Sequence, residues 1–292
     1  MSRIFLDSGD PQETQEIIQL LSAAQPPRQL DGQTTNPTLV SKNPYAKGRA
    51  DNGDKFTEHE LLAFYKQVIQ DISKLIPHGS VSIEVYADDN TSAQEMIEQA
   101  EDMWTWIPNA HIKLPTTAEG LKAARALIDK KMRVNMTLVF SQQQAAAVHA
   151  ATTGAQKGDV FLSPFIGRLD DIGQNGMDLI ANCLKMYRAA DSHVEVLTAS
   201  VRSVEHLQAA LQLNSDIITA PHKILKPWAE AGAGIEENFT YQSMSANNTP
   251  LAPIAYEELD LSQNWSAFNI GHELTTKGIS SFTEDWNKLI AR

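Results

Sequence analysis

Short apolar runs alternate with longer amphipathic segments over most of the chain. The runs are bounded by polar or turn residues, as buried strands are, and the segments between them carry apolar residues at helical spacing. The runs that predict strands are Ile4–Leu6, Arg28–Thr34, Val81–Val85, His111–Pro115, Val134–Val139, Val160–Leu162, Val194–Leu197 and Asp216–Thr219. Because strands and helices alternate over roughly 220 residues, the pattern predicts a closed (β/α)8 TIM barrel.

The main alternative is a doubly wound open sheet. Such a sheet would predict a glycine-rich dinucleotide loop after the first strand, and Asp7-Ser8-Gly9-Asp10 is not one. We therefore expect one structural domain, with residues 1–222 as the barrel core and residues 223–292 as a C-terminal tail packed on it.

Two segments break the alternation. Residues 42–57 are rich in Asn, Gly, Lys and Asp and predict a surface insertion before a helix from Glu58 to Leu75. Residues 223–270 are polar with little periodicity and predict an irregular tail. It ends in a helix from about Thr276 or Ser281 to Ile290, whose apolar stripe must cover the barrel or a neighbouring subunit. In the second case the protein would be a homo-oligomer.

Capping signals mark several helix starts. Asp10 precedes a proline at the first helical position, and Asp88-Asp89-Asn90 precedes a periodic segment. Thr116 with Glu119, and Ser141 with Gln144, have the spacing of a capping box.

Composition narrows the classes of function. The chain has 292 residues, 42% of them hydrophobic, and a net charge of −12, which argues against nucleic-acid and anionic-membrane partners. The single Cys183 cannot form an internal disulfide, and no group of Cys and His has zinc-site spacing. No signal peptide or membrane-spanning run is evident. These features predict a cytoplasmic protein that needs neither a metal nor a cofactor.

Polar residues stand at the C-terminal ends of the predicted strands, where barrels of this kind carry their function. Singly, each is explained as a cap, a turn residue or a surface charge. Seven successive strands with such ends instead predict an active site. The residues are Asp7, Thr34, Asn36, Glu84, Lys113, Asn135, Thr137, Ser163, Arg168, Ser200 and Arg202.

Lys113 is the central candidate, because it lies within a predicted buried strand. An amine in that position either extends to water or gives up its proton more readily, and a neutral lysine amine attacks carbonyl groups. Asp7, Glu84 and Thr137 can hold a water molecule and move protons, as Schiff-base formation and breakdown require.

The last strands provide groups for an anion. Arg168 and Arg202 lie in the part of the barrel that usually holds phosphate, and Ser163 and Ser200 add hydroxyl donors. His222 follows the eighth strand and has no assigned role.

Six segments in this order resemble the transaldolase family, and the likeness extends over nearly the whole chain. They are Thr34–Leu39, Ile83–Val85, Ile112–Pro115, Asn135–Ser141, Ser163–Arg168 and Ala199–Arg202, and the segment from Leu274 to Trp286 is similar to that family's closing helix.

The resemblance implies transfer of a dihydroxyacetone unit in the non-oxidative pentose phosphate pathway. The donor would be sedoheptulose 7-phosphate or fructose 6-phosphate, and the acceptor erythrose 4-phosphate or glyceraldehyde 3-phosphate. It also implies these roles: Lys113 forms the Schiff base, Asp7 is the acid/base, Glu84 and Thr137 hold the catalytic water, Asn36 and Asn135 bind donor hydroxyls, and Arg168, Ser200 and Arg202 bind phosphate.

Two alternatives stay open. Related fructose-6-phosphate aldolases, which release free dihydroxyacetone, tend to carry an amide where this chain has Glu84 and a Tyr where it has Phe165; both differences favour the transferase. A non-catalytic barrel that binds phosphosugars is the other alternative, although binding alone does not require Lys113 with its acidic neighbours.

Overall fold

Parallel strands close into a barrel in the computed structural model, which describes residues 1–236, 238–245, 247 and 249–291. The strands are β1 (Arg3–Asp7), β2 (Gly32–Thr34), β3 (Ser80–Glu84), β4 (Ala110–Pro115), β5 (Val134–Val139), β6 (Val160–Pro164), β7 (Val194–Thr198) and β8 (Ile217–Ala220). Neighbours in the chain pair with each other, and β1 pairs with β8, so the predicted TIM barrel is confirmed. β2 is much shorter than predicted.

Helices follow the strands and form the outer layer. They are α1 (Pro11–Ala23), α2 (Pro37–Lys42), α3 (Pro44–Asp51), α4 (Glu58–Leu75), α5 (Ala93–Trp104), α6 (Ala118–Asp129), α7 (Gln142–Ala151), α8 (Ile166–Asp171), α9 (Gly176–Ala189), α10 (Val204–Gln212), α11 (His222–Glu230) and α12 (Glu273–Asn287). The pattern of apolar positions did not predict α2, α3, α8 or α11. None of the described helices is long and apolar enough to cross a membrane.

Polar caps fix where the helices begin. Asp10 accepts a hydrogen bond from Gln12 N at 2.9 Å, as predicted. Ser141 accepts from Gln144 N at 3.1 Å, but the Gln144 side chain accepts from Phe140 N at 2.7 Å instead of returning to Ser141. The predicted capping box is therefore only half correct.

Two other predicted caps are wrong. Ser92, not Asp88-Asp89-Asn90, is the N-cap of α5, and Thr117, not Thr116, is the N-cap of α6. Glu119 accepts a hydrogen bond at 2.9 Å from the first backbone N–H of α5. Glu119 therefore links α6 to α5 instead of completing a capping box at the start of α6.

The N-terminal end of the barrel is packed with aromatic rings. His111 stacks on Phe161 with ring centroids 4.0 Å apart and bonds to Ser80 Oγ and Gly158 O. Burial lowers the pKa of His111 to about 3, so the imidazole is neutral at ordinary pH. His111 and Phe161 fill this end of the barrel, and the cavity that Lys113 lines lies at the opposite end.

The prediction of a surface insertion at residues 42–57 is wrong in part. The segment contains α3, and its Ala46 and Phe56 are buried in a small cluster with Leu61 and Leu289. Phe56 N also donates to Leu289 O at 2.9 Å. The segment thus attaches the end of the chain to the barrel.

The stretch predicted to be an irregular tail begins with a helix instead. α11 buries Ile224, Leu225 and Trp228 against the barrel and contains Pro227, which weakens the helical signal in the sequence. Glu237, Ala246, Asn248 and Arg292 of the predicted tail lie outside the described residues.

The predicted covering helix exists and starts earlier than predicted, at Glu273. It lies across the C-terminal ends of its own barrel and buries Leu274, Ile279 and Phe282. Its side-chain bonds to the elements beneath it include Thr38 Oγ1 of α2 to Asp285 Oδ2 at 2.5 Å, Thr283 Oγ1 to Ala87 O after β3 at 3.0 Å, and Thr275 Oγ1 to Leu138 O of β5 at 2.9 Å.

Candidate active site

A cavity of about 260 Å³ opens at the C-terminal ends of the strands. Ser281 and Phe282 of α12 form part of its wall. The predicted site residues in the wall are Asp7, Thr34, Asn36, Lys113, Ser163, Phe165, Arg168, Ser200 and Arg202. The remaining three, Glu84, Asn135 and Thr137, are buried and do not form part of the wall.

Lys113 is held between two oxygen atoms. Its Nζ lies 2.8 Å from Glu84 Oε2 and donates to Thr35 O at 3.2 Å. Both charged side chains are buried, with exposed fractions of 3% and 4%. Burial raises the pKa of Glu84, and the positive charge of Lys113 opposes that rise. The amine is therefore placed to exchange a proton with a neighbouring carboxylate.

Asp7 lines the same cavity at the end of β1. Thr34 Oγ1 donates to Asp7 Oδ1 at 2.7 Å and also lies 2.7 Å from Thr219 Oγ1. Desolvation raises the pKa of Asp7, while the charge of Lys113 and the hydrogen bond from Thr34 lower it. A carboxyl group with a raised pKa is suited to accept and return a proton.

β5 bends at its C-terminal end. Leu138 has a φ of 58°, a left-handed conformation that is unusual for a bulky residue, and the pairing with β6 shifts register there. Just before the bend, Thr137 Oγ1 is buried and has no hydrogen-bond partner among the described residues. A buried hydroxyl without a partner is costly, so Thr137 is suited to bind water or substrate.

Asn135 lies below the cavity and links three strands. Its Oδ1 accepts from Ser163 Oγ at 2.7 Å, and its Nδ2 donates to Ser82 Oγ at 3.0 Å. Nδ2 carries two hydrogens, and only one of them is used by this bond. The predicted role of Asn135 in binding the donor remains a prediction.

Arg168 lies under α12 between two aromatic rings. Its guanidinium carbon is 5.5 Å from the Phe165 ring centroid and 5.4 Å from that of Phe282. Burial lowers the pKa of Arg168, and the nearby Arg202 adds to that effect. A cation held on aromatic faces, with its polar edge towards a cavity, is a suitable partner for a substrate anion.

Gly278 allows α12 to lie in close contact with Leu138 and Arg168. A Cβ atom at this position would lie 2.5 Å from Leu138 Cδ2 and 2.8 Å from Arg168 Nη1. Any larger residue would have to displace the arginine or the bent end of β5.

Arg202 is more exposed than Arg168 and already has an acidic partner. Its Nη1 and Nη2 donate to the two oxygens of Asp171 at 2.7 and 2.6 Å. Ser200, just before it, has a φ of 58°. A Cβ atom at Gly167 would lie 2.5 Å from both Arg202 Nε and Ser200 O, so α8 and the end of β7 are in close contact.

Two other sequence candidates have clear structural environments. Asn36 lines the cavity and is also the N-cap of α2, because its Oδ1 accepts from Leu39 N at 2.9 Å. His222 lies 2.8 Å from Glu16 Oε2, so it joins α11 to α1 rather than lining the cavity.

Several site residues were not identified from the sequence. Lys42 and Phe282 line the cavity, Thr35 O accepts from Lys113, and Tyr65 Oη accepts from Glu84 N at 2.9 Å. Thr35 contacts Lys113 through its main-chain carbonyl, which every residue type has, so the sequence contains no signal for this contact. Tyr65 belongs to the apolar face of α4, where helical spacing marks it only as a core residue.

The described residues contain no group of three His, Cys, Asp or Glu side chains arranged to hold a metal ion. What the cavity does contain is a buried lysine between two oxygens, a second carboxyl group, and two arginines. These groups define a barrel suited to lysine-dependent chemistry on an anionic carbonyl compound.

Comparison with known proteins identifies the family of the chain. Residues 4–292 match the family described as Transaldolase/Fructose-6-phosphate aldolase. The chain therefore belongs to the transaldolase/fructose-6-phosphate aldolase family.

Relatives named "Probable transaldolase" are similar over most of their length. The protein from Dehalococcoides mccartyi is 38% identical over 76% of this chain and 88% of its own. That from Alkaliphilus metalliredigens is 36% identical over 77% and 88%, and that from Brucella ovis is 38% identical over 77% and 87%.

Proposed function

We propose that this protein is a transaldolase that moves a dihydroxyacetone unit from a ketose phosphate to an aldose phosphate through a Schiff base on Lys113. The observation that carries the proposal is the buried Lys113 amine, 2.8 Å from Glu84, in the wall of a cavity that also contains Arg168 and Arg202. Membership of the family supports it.

In the proposed first half-reaction, the Lys113 amine adds to the C2 carbonyl of the donor, and the carbinolamine loses water to form the Schiff base. Glu84 supplies and accepts the protons for these steps, and Thr137 Oγ1 holds the departing water. Asp7 then removes the proton from the C4 hydroxyl, the C3–C4 bond breaks, and its electrons enter the iminium group. The products are a free aldose phosphate and an enamine on Lys113.

In the second half-reaction, the enamine attacks the aldehyde carbon of the acceptor, and Asp7 returns its proton to the new hydroxyl. Water bound by Glu84 and Thr137 then hydrolyses the Schiff base. Arg168, Arg202 and Ser200 hold the phosphate of each partner and so fix which carbon faces the lysine. No metal or cofactor is needed in this scheme, and chelators should leave the rate unchanged.

Transfer is favoured over release of dihydroxyacetone by the apolar groups near the lysine. Phe165 lines the cavity, and the Phe282 ring centroid is 5.9 Å from Lys113 Nζ. Neither ring can donate a proton to the enamine. The fructose-6-phosphate aldolase alternative would require a proton donor there. With sedoheptulose 7-phosphate or fructose 6-phosphate as donor, the reaction would belong to the non-oxidative pentose phosphate pathway of the cytoplasm.

Borohydride trapping tests the proposal. The protein is incubated with fructose 6-phosphate, reduced with borohydride and examined by peptide mass spectrometry. We expect one reduced dihydroxyacetone adduct on Lys113, together with transfer to erythrose 4-phosphate in the absence of borohydride. An unmodified Lys113 would support the non-catalytic phosphosugar-binding barrel instead. An adduct accompanied by equal release and transfer would support the aldolase.

A further inference from the structure

Tyr65 lies outside the strand ends, on α4, and its hydroxyl reaches the backbone beside Lys113. Only 2% of Tyr65 is exposed. Its ring packs edge-on against Trp106 and against Trp286 of α12, with centroids 5.8 and 5.7 Å away. These two contacts fix the ring, so the hydroxyl has little freedom to leave its position.

The hydroxyl interrupts the hydrogen-bond ladder between β2 and β3. Thr35 N donates to Ser82 O at 3.3 Å, as expected of parallel pairing just beyond the end of β2. One further step of the same alternation would direct Glu84 N to Thr35 O. Glu84 N instead donates to Tyr65 Oη at 2.9 Å.

The direction of the next hydrogen bond follows from the number of protons available. Thr35 Oγ1 donates its only hydrogen to Ser82 O at 2.8 Å. Since Tyr65 Oη lies 2.8 Å from Thr35 Oγ1, the tyrosine must be the donor in that contact. The Tyr65 hydroxyl thus accepts from one strand and donates to the other.

We propose that Tyr65 is a positioning residue, whose hydroxyl takes the backbone N–H of Glu84 away from Thr35 O and leaves that carbonyl free to accept from the Lys113 amine. The Thr35 O to Lys113 Nζ distance is 3.2 Å, and the second partner of Nζ is the Glu84 carboxylate at 2.8 Å. The Tyr65 hydroxyl therefore fixes the position of the backbone at Thr35 and at Glu84, the two residues that contact the Lys113 amine. This inference rests on the proposed Schiff-base function.

The variant Tyr65→Phe removes the hydroxyl and keeps the ring. Glu84 N can then return to Thr35 O and compete with Lys113 Nζ for it. We expect kcat for transfer from fructose 6-phosphate to erythrose 4-phosphate to fall about tenfold, because one buried hydrogen-bond partner is lost. KM should change less than twofold, since Tyr65 is not part of the cavity wall.

Tyr187→Phe is the matched control. Tyr187 is also a buried tyrosine, and its hydroxyl donates to Ala145 O at 2.7 Å between α9 and α7. This variant should lose a similar amount of thermal stability while kcat and KM stay within twofold of the parent. A general loss of packing or hydrogen bonding would affect both variants, whereas a positioning role affects kcat in Tyr65→Phe alone.

Equal kcat values in Tyr65→Phe and Tyr187→Phe would overturn the inference. If Tyr65→Phe does not fold, Thr35→Val is the substitute, because it removes the acceptor of the Tyr65 hydroxyl. This variant should also lower kcat. A kcat equal to that of the parent would overturn the inference. Borohydride trapping of the parent separates failure of the proposed function from failure of the inference about Tyr65. If no adduct forms on the parent, the proposed function is refuted. If the adduct forms and Tyr65→Phe is fully active, only the role of Tyr65 is refuted.

Discussion

The two ends of the cavity differ in how the protein holds its charges. At the lysine end, Lys113 and Glu84 are almost fully buried and paired with each other. At the arginine end, Arg202 and Asp171 form an ion pair in which about half of each side chain is exposed, at 48% and 53%. Arg168 lies between these extremes: it is half-buried beneath α12, with its guanidinium group against two phenyl rings.

This difference indicates which end of the cavity is the more rigid. A buried pair keeps its geometry because the loss of either partner leaves an uncompensated charge. An exposed pair is weak and is screened by salt, so under the proposed function Arg202 would exchange Asp171 for a substrate phosphate at little cost. The lysine end is therefore rigid and suited to chemistry, and the arginine end is adaptable and suited to binding.

The largest effect is expected at the lysine end, from Lys113→Arg. Arginine keeps the positive charge but offers no neutral primary amine to a carbonyl, so kcat should fall by about a thousandfold or more with the fold intact. Transfer kinetics and circular dichroism give the test, with Lys185→Arg on α9 as the control. Turnover within tenfold of the parent would contradict the Schiff-base assignment.

Glu84→Gln keeps the size of the side chain and removes its charge. Loss of a general acid/base should lower kcat by about 10²–10⁴-fold. Because burial raises the pKa of Glu84, the parental rate should fall at a higher pH on the acid side than an ordinary glutamate would give, and the variant should lack that step. Glu195→Gln, which removes a carboxylate paired with Arg3 at 2.6 Å, is the control and should be fully active.

At the arginine end, Arg168→Ala and Arg202→Ala should mainly affect KM. A charge-assisted contact to phosphate is worth about 1.5–3 kcal/mol, which corresponds to a rise in KM of roughly 10- to 150-fold for phosphorylated donors. Arg168→Ala should have the larger effect, because its guanidinium is the more rigidly held. Equal losses with donors that lack phosphate would indicate a structural role, and exposed Arg188→Ala on α9 should change neither constant.

The smallest effect is expected between the two ends, from Phe165→Tyr. A hydroxyl at this position can donate a proton to the enamine, so release of dihydroxyacetone from fructose 6-phosphate should rise a few-fold relative to transfer. Both products are measured side by side in parent and variant. A parent that releases dihydroxyacetone as fast as it transfers it would favour the aldolase alternative, whatever the variant does.

The sequence predicted most of the barrel because strands and helices each carry a local period. Asp7 was identified because it ends an apolar run, Lys113 because a charged residue inside such a run is unusual, and Arg168 because it follows the sixth run. The order of the strands then follows from the closure of a parallel barrel, which brings all the C-terminal ends to one side.

Tertiary contacts explain what the sequence did not reveal. The bend at Leu138 is stabilised by Thr275 from α12, 137 residues further along the chain. α11 contains Pro227, and α3 is a short polar helix whose Ala46 is buried by distant residues. Such contacts cannot be predicted from the helix propensity of a segment or from the spacing of its apolar residues.

Gly278 has a practical consequence for engineering the stability of this protein. Replacing a helical glycine with alanine usually stabilises a protein by about 0.4–1 kcal/mol, so such positions are the first choice in consensus and thermostability screens. Gly48 on α3 meets that expectation, since a Cβ atom there would have no neighbour within 4 Å. At Gly278 the same methyl group would press on Arg168 Nη1 and Leu138, so a screen that considers helix propensity alone would select a substitution that displaces an arginine of the cavity wall.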